Sequence, residues 1–545
     1  MRGLPSDRLS SWKAIAAYLH CSVRTARRWE GAEGLPIHRH VHQQLGRVFA
    51  LATELDTWRR SRARSPDRAS RPCPMPPLPP DRSIAVLPFT NQSPDVKDTY
   101  FAEGLSEEVT IALTKVGALR VTSRRSAAVF RGASAGATTI AKQLGVRYLV
   151  EGSVRRAGDR LRVSAQLIDA PQDVHTWADT YEGALEDVFS IQEQVARKIV
   201  EALELQLTAS EERRLSERAI NDLPSYECYL RARHDMWGWR RDAIDRAVQL
   251  LRQALALNGE NARLYGALGL AHLQYREAGI DLSERPLAAA DSCASKLFSL
   301  EDHSASGGLL RGWIAYSRGR IQDAVRYLKV ALEREPNNSD TLLLLCNCYL
   351  ISGRVAAARP LLTRLLAVDP LTPITRCMPG FADIMEGNLA AAIDPYRQMF
   401  EMDQANPMAR LFFAWVLIIN GRLGEAGELL KGFPPDQRHS LPGRISFFLA
   451  ASAMGRAREA NAELTPEIEA VARASDVFPR FLAQGFALGG DNEPAIKWLH
   501  VAIDRGFVNY PFLARHSPSF NALHGEPAFQ ALLETVRHRW ECFEA

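Results

Sequence analysis

The chain has few of the features that mark membrane, secreted or metal-dependent proteins. Its longest strongly apolar run, LFFAWVLIIN, is about half as long as a membrane-spanning helix must be. The polar N-terminus has no hydrophobic signal core, and eight cysteines scattered over 545 residues do not suggest a disulfide framework. We therefore expect a cytoplasmic protein with no membrane partner, and we predict no metal, no cofactor and no catalytic residues.

Net charge is small, +4, but it is unevenly distributed along the chain. Residues 1–72 contain 14 arginines and lysines against six acidic residues, so this stretch alone carries +8 and the remainder −4. Such an asymmetry favours a polyanionic partner for the N-terminal part.

Glycine recurs at a fixed spacing of 34 residues through the C-terminal half. The glycines are Gly319, Gly353, Gly387, Gly421, Gly455 and Gly489. Five residues after each of the first five comes an alanine, and Pro336 and Pro370 keep the same period. A 34-residue period is typical of stacked helix–turn–helix units, in which glycine ends the first helix and alanine allows the second to pack closely.

Segments such as GRIQDAVRYLKVALEREPNN resemble tetratricopeptide repeats, which implies an all-α superhelix of about eight units between residues 225 and 507. The last unit is shifted by one residue, so that Gly490 takes the key place, and the final segment forms a cap. Pro434 and Pro435 predict an irregularity within the array.

The first 64 residues have a pattern of their own, distinct from the rest of the chain. Their apolar spacing indicates two short helices, and HRHVHQQLGRVFAL indicates a β-hairpin with its turn at Gly46. The segment SWKAIAAYLHCSVRTARRWEGAEGLPIHRH resembles the MerR-like and excisionase-like winged helix–turn–helix family, which implies binding to duplex DNA. The candidate contact residues are Arg24, Thr25, Arg27, Arg28, Arg39, His40 and Arg47. The alternative is a small basic domain that binds RNA or nothing.

A proline-rich linker, residues 65–82, precedes a mixed α/β domain at 83–210. The pattern predicts a buried strand at SIAVLPF, a helix closed by Gly145, and a hairpin turning at residues 157–159. IAVLPFTNQSPD and LGVRYLVEGSVRRAGDRLRVSAQLIDA resemble the TolB-like domain of bacterial regulators, also found beside adenylate cyclase domains. The resemblance implies a non-catalytic relay module. GASAG, containing Ser134, fits the G-x-S-x-G nucleophile pattern, but small residues in a turn explain it better than hydrolase chemistry.

Residues 211–545 would then form the repeat array and its cap, with a groove lined by the first helix of each unit. The predicted groove residues are Trp313, Tyr316, Asn347, Leu350, Phe381, Ile384 and Trp415. This mostly apolar and aromatic set favours an amphipathic helix or extended peptide as the ligand. Several of these residues could equally be buried between helices.

The sequence as a whole predicts a multidomain, bacterial, DNA-binding transcriptional regulator. Its head would bind double-stranded DNA while the repeat array holds a protein or peptide. The alternative is a non-enzymatic interaction scaffold without functional DNA binding.

Overall fold

The computed structural model describes residues 8–18, 23, 30, 35–40, 47–55, 80–133, 135–216, 219–220 and 222–545. The chain divides into two compact units, Met1–Pro74 and Met75–Ala545. Within the described ranges, no helix is both long and apolar enough to cross a bilayer.

The described part of the N-terminal unit contains a helix, a small antiparallel sheet and further helical residues at 52–55. The elements are β1 (Arg8–Leu9), α1 (Trp12–Tyr18), β2 (His38–His40) and β3 (Arg47–Leu51). The strand order is β1-β3-β2, and both pairings are antiparallel. The paired strands β2 and β3 correspond to the predicted hairpin, whereas β1 was not predicted. Gly46 and residues 24–29 of the predicted second helix lie outside the described residues.

A mixed sheet opens the second unit, and it agrees with the predicted alternation of strands and helices. Its strands are β4 (Ser83–Val86), β5 (Thr90–Asn91), β6 (Arg120–Val121), β7 (Tyr148–Ala157), β8 (Arg160–Asp169) and β9 (Val174–Ala184). The order is β6-β4-β7-β8-β9, with β5 pairing beside β7. Strand β4 is parallel to both β6 and β7, while β7, β8 and β9 are antiparallel.

Five helices accompany this sheet and the segment after it. They are α2 (Thr99–Thr114), α3 (Arg124–Ala128), α4 (Ala137–Leu144), α5 (Val188–Ala202) and α6 (Ala209–Ser216). Alternate residues of β4 face opposite sides, as the period of two requires. Ile84 belongs to a core shared with α2 and α5, whereas Ala85 belongs to a smaller core with α4. Gly145, at φ 64°, ends α4 in the left-handed conformation, as predicted.

From Leu223 onward the chain is helical. The helices are α7 (Leu223–Asp235), α8 (Arg241–Asn258), α9 (Ala262–Glu277), α10 (Glu284–Leu300), α11 (Ala305–Ser317), α12 (Ile321–Arg334), α13 (Ser339–Ile351), α14 (Val355–Val368), α15 (Pro373–Met385), α16 (Ile393–Met402), α17 (Pro407–Ile419), α18 (Leu423–Lys431), α19 (Pro435–Arg438), α20 (Leu441–Ala453), α21 (Ala457–Glu463), α22 (Pro466–Ala474), α23 (Phe478–Gly489), α24 (Asn492–Asp504) and α25 (Pro527–Glu541). Eight successive pairs, α7/α8 to α23/α24, form the array, with α19 and α22 as extra short helices. The predicted irregularity is confirmed, because α18 ends at Lys431 and the short α19 begins at Pro435.

The repeat signals act as the sequence predicts. Gly319 and the equivalent glycines through Gly490 have φ between 69° and 86°, a conformation that favours glycine at the end of a helix. The alanines at the second-helix position, from Ala324 to Ala460, are 0–3% exposed, so the paired helices pack closely there. The capping residue of α23 is Gly490 rather than Gly489, which confirms the predicted shift in the last pair.

The core of the sheet continues into the array. One cluster of buried side chains runs from Ile84 through Tyr226 and Leu251 to Ile314, and it includes α2 as well as the first helix pairs. Contacts reach further along the array: the Arg125 guanidinium lies 2.8 Å from the Asp340 carboxylate. The sheet and the array are therefore parts of one compact unit.

The segment after α24 returns to the middle of the array. The Val508 amide donates to the Ile351 carbonyl (3.1 Å), and the Asn509 side-chain amide donates to the Leu350 carbonyl (2.9 Å). Nearer the C-terminus, the Arg354 guanidinium donates to the Phe543 carbonyl (2.9 Å). The predicted terminal cap is thus attached to α13 and the start of α14.

Candidate functional site

The array encloses a cavity of about 650 Å³. Its wall is built from the first helices of successive repeats, α11, α13, α15 and α17, and from α23, which belongs to the last pair. The walls are mainly aromatic and aliphatic, and a few charged groups interrupt them. Cavities of this size and composition are typical ligand sites.

One repeat position faces the cavity in four consecutive units. Trp313, Asn347, Phe381 and Trp415 are separated by 34 residues each, and all four line the cavity. The equivalent position in the last pair, after the one-residue shift, is Gln484, which also lines it. The curvature of the array therefore brings the residues at one repeat position, from five units, to the same cavity.

The predicted position three residues later behaves differently. Tyr316 lines the cavity, but Leu350 and Ile384 are 0% exposed and belong to the core between helices. A side chain three residues further along a helix points about 60° away from the original direction. Leu350 and Ile384 therefore pack against neighbouring helices instead of lining the cavity. They do not belong to the candidate site, contrary to the prediction.

Hydrogen bonds fix the polar groups on the cavity wall. The Trp415 indole donates to Gln484 Oε1 (2.6 Å), and the Asn347 amide donates to the Tyr316 hydroxyl (2.8 Å). The Tyr316 hydroxyl is in turn hydrogen-bonded to the Asp476 carboxylate. Burial, together with the negative charge of Asp476, raises the pKa of Tyr316, so it stays neutral and donates.

A carboxylate at the end of α9 contributes the main electrostatic feature. Trp313 Nε1 donates to Glu277 Oε1 at 2.9 Å. The Glu277 side chain is exposed to the water inside the cavity, but the cavity walls surround it closely. The resulting loss of solvation, together with the charge of Asp476, raises the pKa of Glu277 to about 7. Glu277 therefore changes its charge near neutral pH.

One arginine and two tryptophans complete the cavity lining. The Arg480 guanidinium lies 5.6 Å from the Phe381 ring centroid and 5.1 Å from that of Phe507, at cation–π distances. Trp237 and Trp239 line the cavity and remain 38% and 46% exposed. Exposed tryptophans at a cavity are typical of binding surfaces.

Sequence reasoning missed the charged members of this site. Glu277 and Asp476 come from loops or helix ends outside the 34-residue frame, and only the folding of the array brings them beside Trp313. The other side of the cavity, which includes Arg480, is formed by α23 of the last helix pair. The repeat pattern contains no signal for either.

The predicted DNA-contact residues fall into two groups. Arg24, Thr25, Arg27 and Arg28 lie outside the described residues. Arg39 and His40 lie on β2 and Arg47 on β3, and His40 is directly opposite Arg47 in the antiparallel register. These three therefore share one hairpin, while their DNA contacts stay a prediction. Ser134 also lies outside the described residues.

The cysteines and other metal-ligand types show no clustering in the described part of the chain. Groups of three or more His, Cys, Asp or Glu side chains with metal-site geometry are absent there. Cys346 and Cys348 are fully buried, and burial raises the pKa of both thiols. They are core residues, as their positions on one helix predict.

Part of the chain is similar to a curated bacterial protein. A stretch of 218 residues is 38% identical to "Putative adenylate cyclase 3" of Rhizobium meliloti (strain 1021). This stretch is 40% of the present chain and only 37% of that relative, so the chain spans little more than a third of its length.

Residues 315–374 match a family model described as tetratricopeptide repeat. The fold is similar to TTC0263, a thermophilic TPR protein of Thermus thermophilus, at 18% identity over 36% of this chain and 99% of that chain, with a TM-score of 0.30. It is also similar to a tetratricopeptide repeat protein of Parabacteroides merdae ATCC 43184, at 13% identity over 51% of this chain and 99% of that chain, with a TM-score of 0.33. Those two likenesses concern the fold alone. The family match falls within the helix pairs that keep the 34-residue period, so this part of the chain consists of tetratricopeptide repeats.

Proposed function

We propose that this chain is a protein-interaction scaffold whose repeat array holds a peptide segment of a partner protein. The observation that carries the proposal is the repeated cavity-facing position, Trp313, Asn347, Phe381 and Trp415, in a cavity of about 650 Å³. Trp313 is half-buried, whereas Phe381 and Trp415 are only 8% and 5% exposed and form the floor of the cavity. Such aromatic side chains offer apolar area with little loss of conformational entropy. A helical or extended peptide presents side chains that such a wall can bind.

A displayed library of random peptides, selected against the full chain, tests the scaffold proposal. We expect Trp313→Ala to weaken the selected peptides about tenfold or more, since buried aromatic residues dominate binding energies. Tyr327→Ala is the matched control: Tyr327 is 36% exposed on α12 and lies outside the cavity lining. Equal binding by the two variants would contradict the proposal.

Duplex-DNA binding by residues 1–64 is a second candidate function, which would make the scaffold a transcriptional regulator. The charge of +8 on residues 1–72 and a hairpin bearing Arg39, His40 and Arg47 support it. Regulation would then follow if a partner in the cavity altered the time the head spends on DNA. A cytoplasmic location belongs to the same proposal.

Electrophoretic shifts of duplex DNA from the native upstream region, measured with the full chain, test this second function. We expect affinity to fall steeply as salt rises, because phosphate contacts release counterions. A variant with alanine at Arg24, Arg27 and Arg28 should lose the shift. Salt-independent binding, or none at low salt, would leave the scaffold function alone.

A further inference from the structure

The acidic end of the cavity joins two parts of the chain that are far apart in sequence. Glu277 ends α9, and Asp476 precedes α23. Both line the cavity, and each is held from α11: Trp313 donates to Glu277, and Tyr316 is hydrogen-bonded to Asp476. The two carboxylates are near enough that the charge of Asp476 raises the pKa of Glu277. Two like charges are thus fixed on one wall.

The lining of the cavity carries more negative than positive charge. Its charged residues are Glu277, Asp340, Asp403, Asp476, Arg125 and Arg480. Arg125 is paired with Asp340 at 2.8 Å, which neutralises both. The Arg480 guanidinium stacks on aromatic rings, and burial lowers its pKa although Asp476 acts in the opposite direction. One arginine therefore faces three remaining carboxylates.

Two arginines outside the cavity lining, Arg276 and Arg505, lie near these carboxylates, and both donate to carbonyls. Arg505 Nε donates to the Arg473 carbonyl (3.2 Å). Arg276 donates to the Leu282 carbonyl (2.7 Å) and to the Ala474 carbonyl (2.9 Å). Its charge lowers the pKa of Glu277, as does the bond from Trp313, but burial and Asp476 outweigh both. Carboxylates therefore outnumber arginines in the cavity lining itself, while Arg276 and Arg505 add positive charge behind it.

Tryptophan rings lie on the same side of the cavity. Gln274 Nε2 donates to the Met236 carbonyl at 3.2 Å, which holds the turn Met236–Gly238 against α9 one helical turn before Glu277. Trp237 and Trp239 come from this turn and the residue after it. Indole faces attract cations, with an energy that grows as water is excluded. The Arg124 guanidinium already lies 4.8 Å from the Trp237 ring centroid, so the cation of a ligand would stack on Trp239 or Trp313. Carboxylates beside tryptophans are suited to a lysine or arginine side chain, whose apolar stem also contacts the rings.

We infer that the Glu277–Asp476 end of the cavity receives a lysine or arginine side chain of the bound peptide, while the Phe381–Trp415 wall receives an adjoining apolar side chain. This inference rests on the proposed scaffold function, and it names the chemistry of the partner: a peptide segment with a cationic residue among apolar ones. An anionic segment would meet Arg480 but would face the excess of carboxylates.

A defined peptide library tests the inference on the full chain. The probes are N-acetylated, C-amidated heptapeptides whose central residue is lysine, arginine, glutamate or norleucine, with flanking positions drawn from leucine, phenylalanine, tryptophan and alanine. We expect lysine- and arginine-centred peptides to bind about tenfold or more tightly than the other two classes at pH 8. Glu277→Gln should reduce this preference, since the amide carries no charge although its oxygen can still accept from Trp313.

A pH series provides the second readout. Glu277, with a pKa of about 7, is mostly protonated at pH 6 and ionised at pH 8, so the cationic preference should rise over this interval. In Glu277→Gln the rise should be absent. Asp476→Asn should also weaken the preference, and if that variant does not fold, Glu277→Gln alone decides.

The outcomes separate the two proposals. Binding of apolar peptides without any preference for a central cation overturns the inference and leaves the scaffold function standing. A preference for glutamate-centred peptides also overturns it and assigns recognition to Arg480. Failure of every class to bind contradicts the scaffold function itself.

Discussion

Asp369 connects the α/β part of the second unit to the array, and its replacement is the sharpest test of that connection. Its carboxylate is 1% exposed and accepts from Ser126 Oγ (2.7 Å), Thr372 Oγ1 (2.7 Å) and Thr375 Oγ1 (2.8 Å). The Ser123 hydroxyl is a fourth donor. Two of the four donors belong to the start of α3 and two to the start of α15, so one side chain serves both.

The expected loss follows from these bonds. A hydrogen bond to a charged acceptor contributes about 1.5–3 kcal/mol, and contributions within one network are not additive. Asp369→Ala leaves several buried hydroxyls without this acceptor, although they can rotate toward other oxygens. We expect a loss of about 3–5 kcal/mol in the free energy of unfolding, at the upper end of single substitutions.

Asp403→Ala is the matched control. Asp403 occupies the same place in the next repeat, 34 residues later, but it is only partly buried and accepts from the Asn406 side chain at 2.9 Å. We expect that control to cost about 1 kcal/mol or less. Guanidinium unfolding, followed by far-ultraviolet circular dichroism and by tryptophan fluorescence, measures both variants. If Asp369→Ala lowers the midpoint no more than Asp403→Ala, the hydroxyl network does not stabilise the unit as described.

Two further substitutions test other contacts of the second unit. Glu107→Ala should cost about 3–5 kcal/mol, because Glu107, 4% exposed in its side chain, is bonded to Arg124 and to Arg233, and both guanidinium groups would lose a buried partner. Burial alone would raise the pKa of Glu107, but the two arginines lower it, so wild-type stability should fall as acid protonates this group and the variant should show a weaker dependence in the same range. In thermal unfolding, Gly319→Ala should cost about 1–3 kcal/mol more than Gly421→Ala. Both glycines have φ near 72° (73° and 72°), but a Cβ at Gly319 would lie 2.4 Å from the Asp504 carbonyl oxygen, while nothing lies within 4 Å at Gly421. Equal losses would show that the end of α24 can shift away from the added Cβ at little cost in stability.

The local signals of the sequence predicted much of this fold. A glycine ends each first helix, and an alanine in each second helix allows close packing within the pair. Both effects involve residues close in sequence, so their 34-residue period identified the helix pairs. The hairpin of β7 and β8 was equally readable, because its turn at Gly158 and its alternation are local. Trp313 and the equivalent positions through Trp415 could be placed on the cavity wall for the same reason.

The rest depended on how small rotations between repeats accumulate. No single repeat specifies that α23 lies opposite α11, or that Asp476 comes beside Glu277. The predicted boundary at residue 210 treated the α/β part and the array as separate domains, whereas a shared core runs from Ile84 to Ile314. The spacing of apolar residues within α2 does not predict that elements distant in sequence bury both of its faces.

The attachment of residues 508–543 to α13 and α14 has a consequence for synthesis of the protein. In an open array each unit is stabilised by its neighbours, so folding can follow the chain as it leaves the ribosome. Here the bonds of Val508 and Asn509 to Ile351 and Leu350 form only after more than a hundred further residues have been made. The Leu350 carbonyl also accepts from the Gly353 amide (3.1 Å), but the Ile351 carbonyl gains the Val508 amide only when the C-terminal segment has been made. The middle repeats therefore reach their final packing late in synthesis.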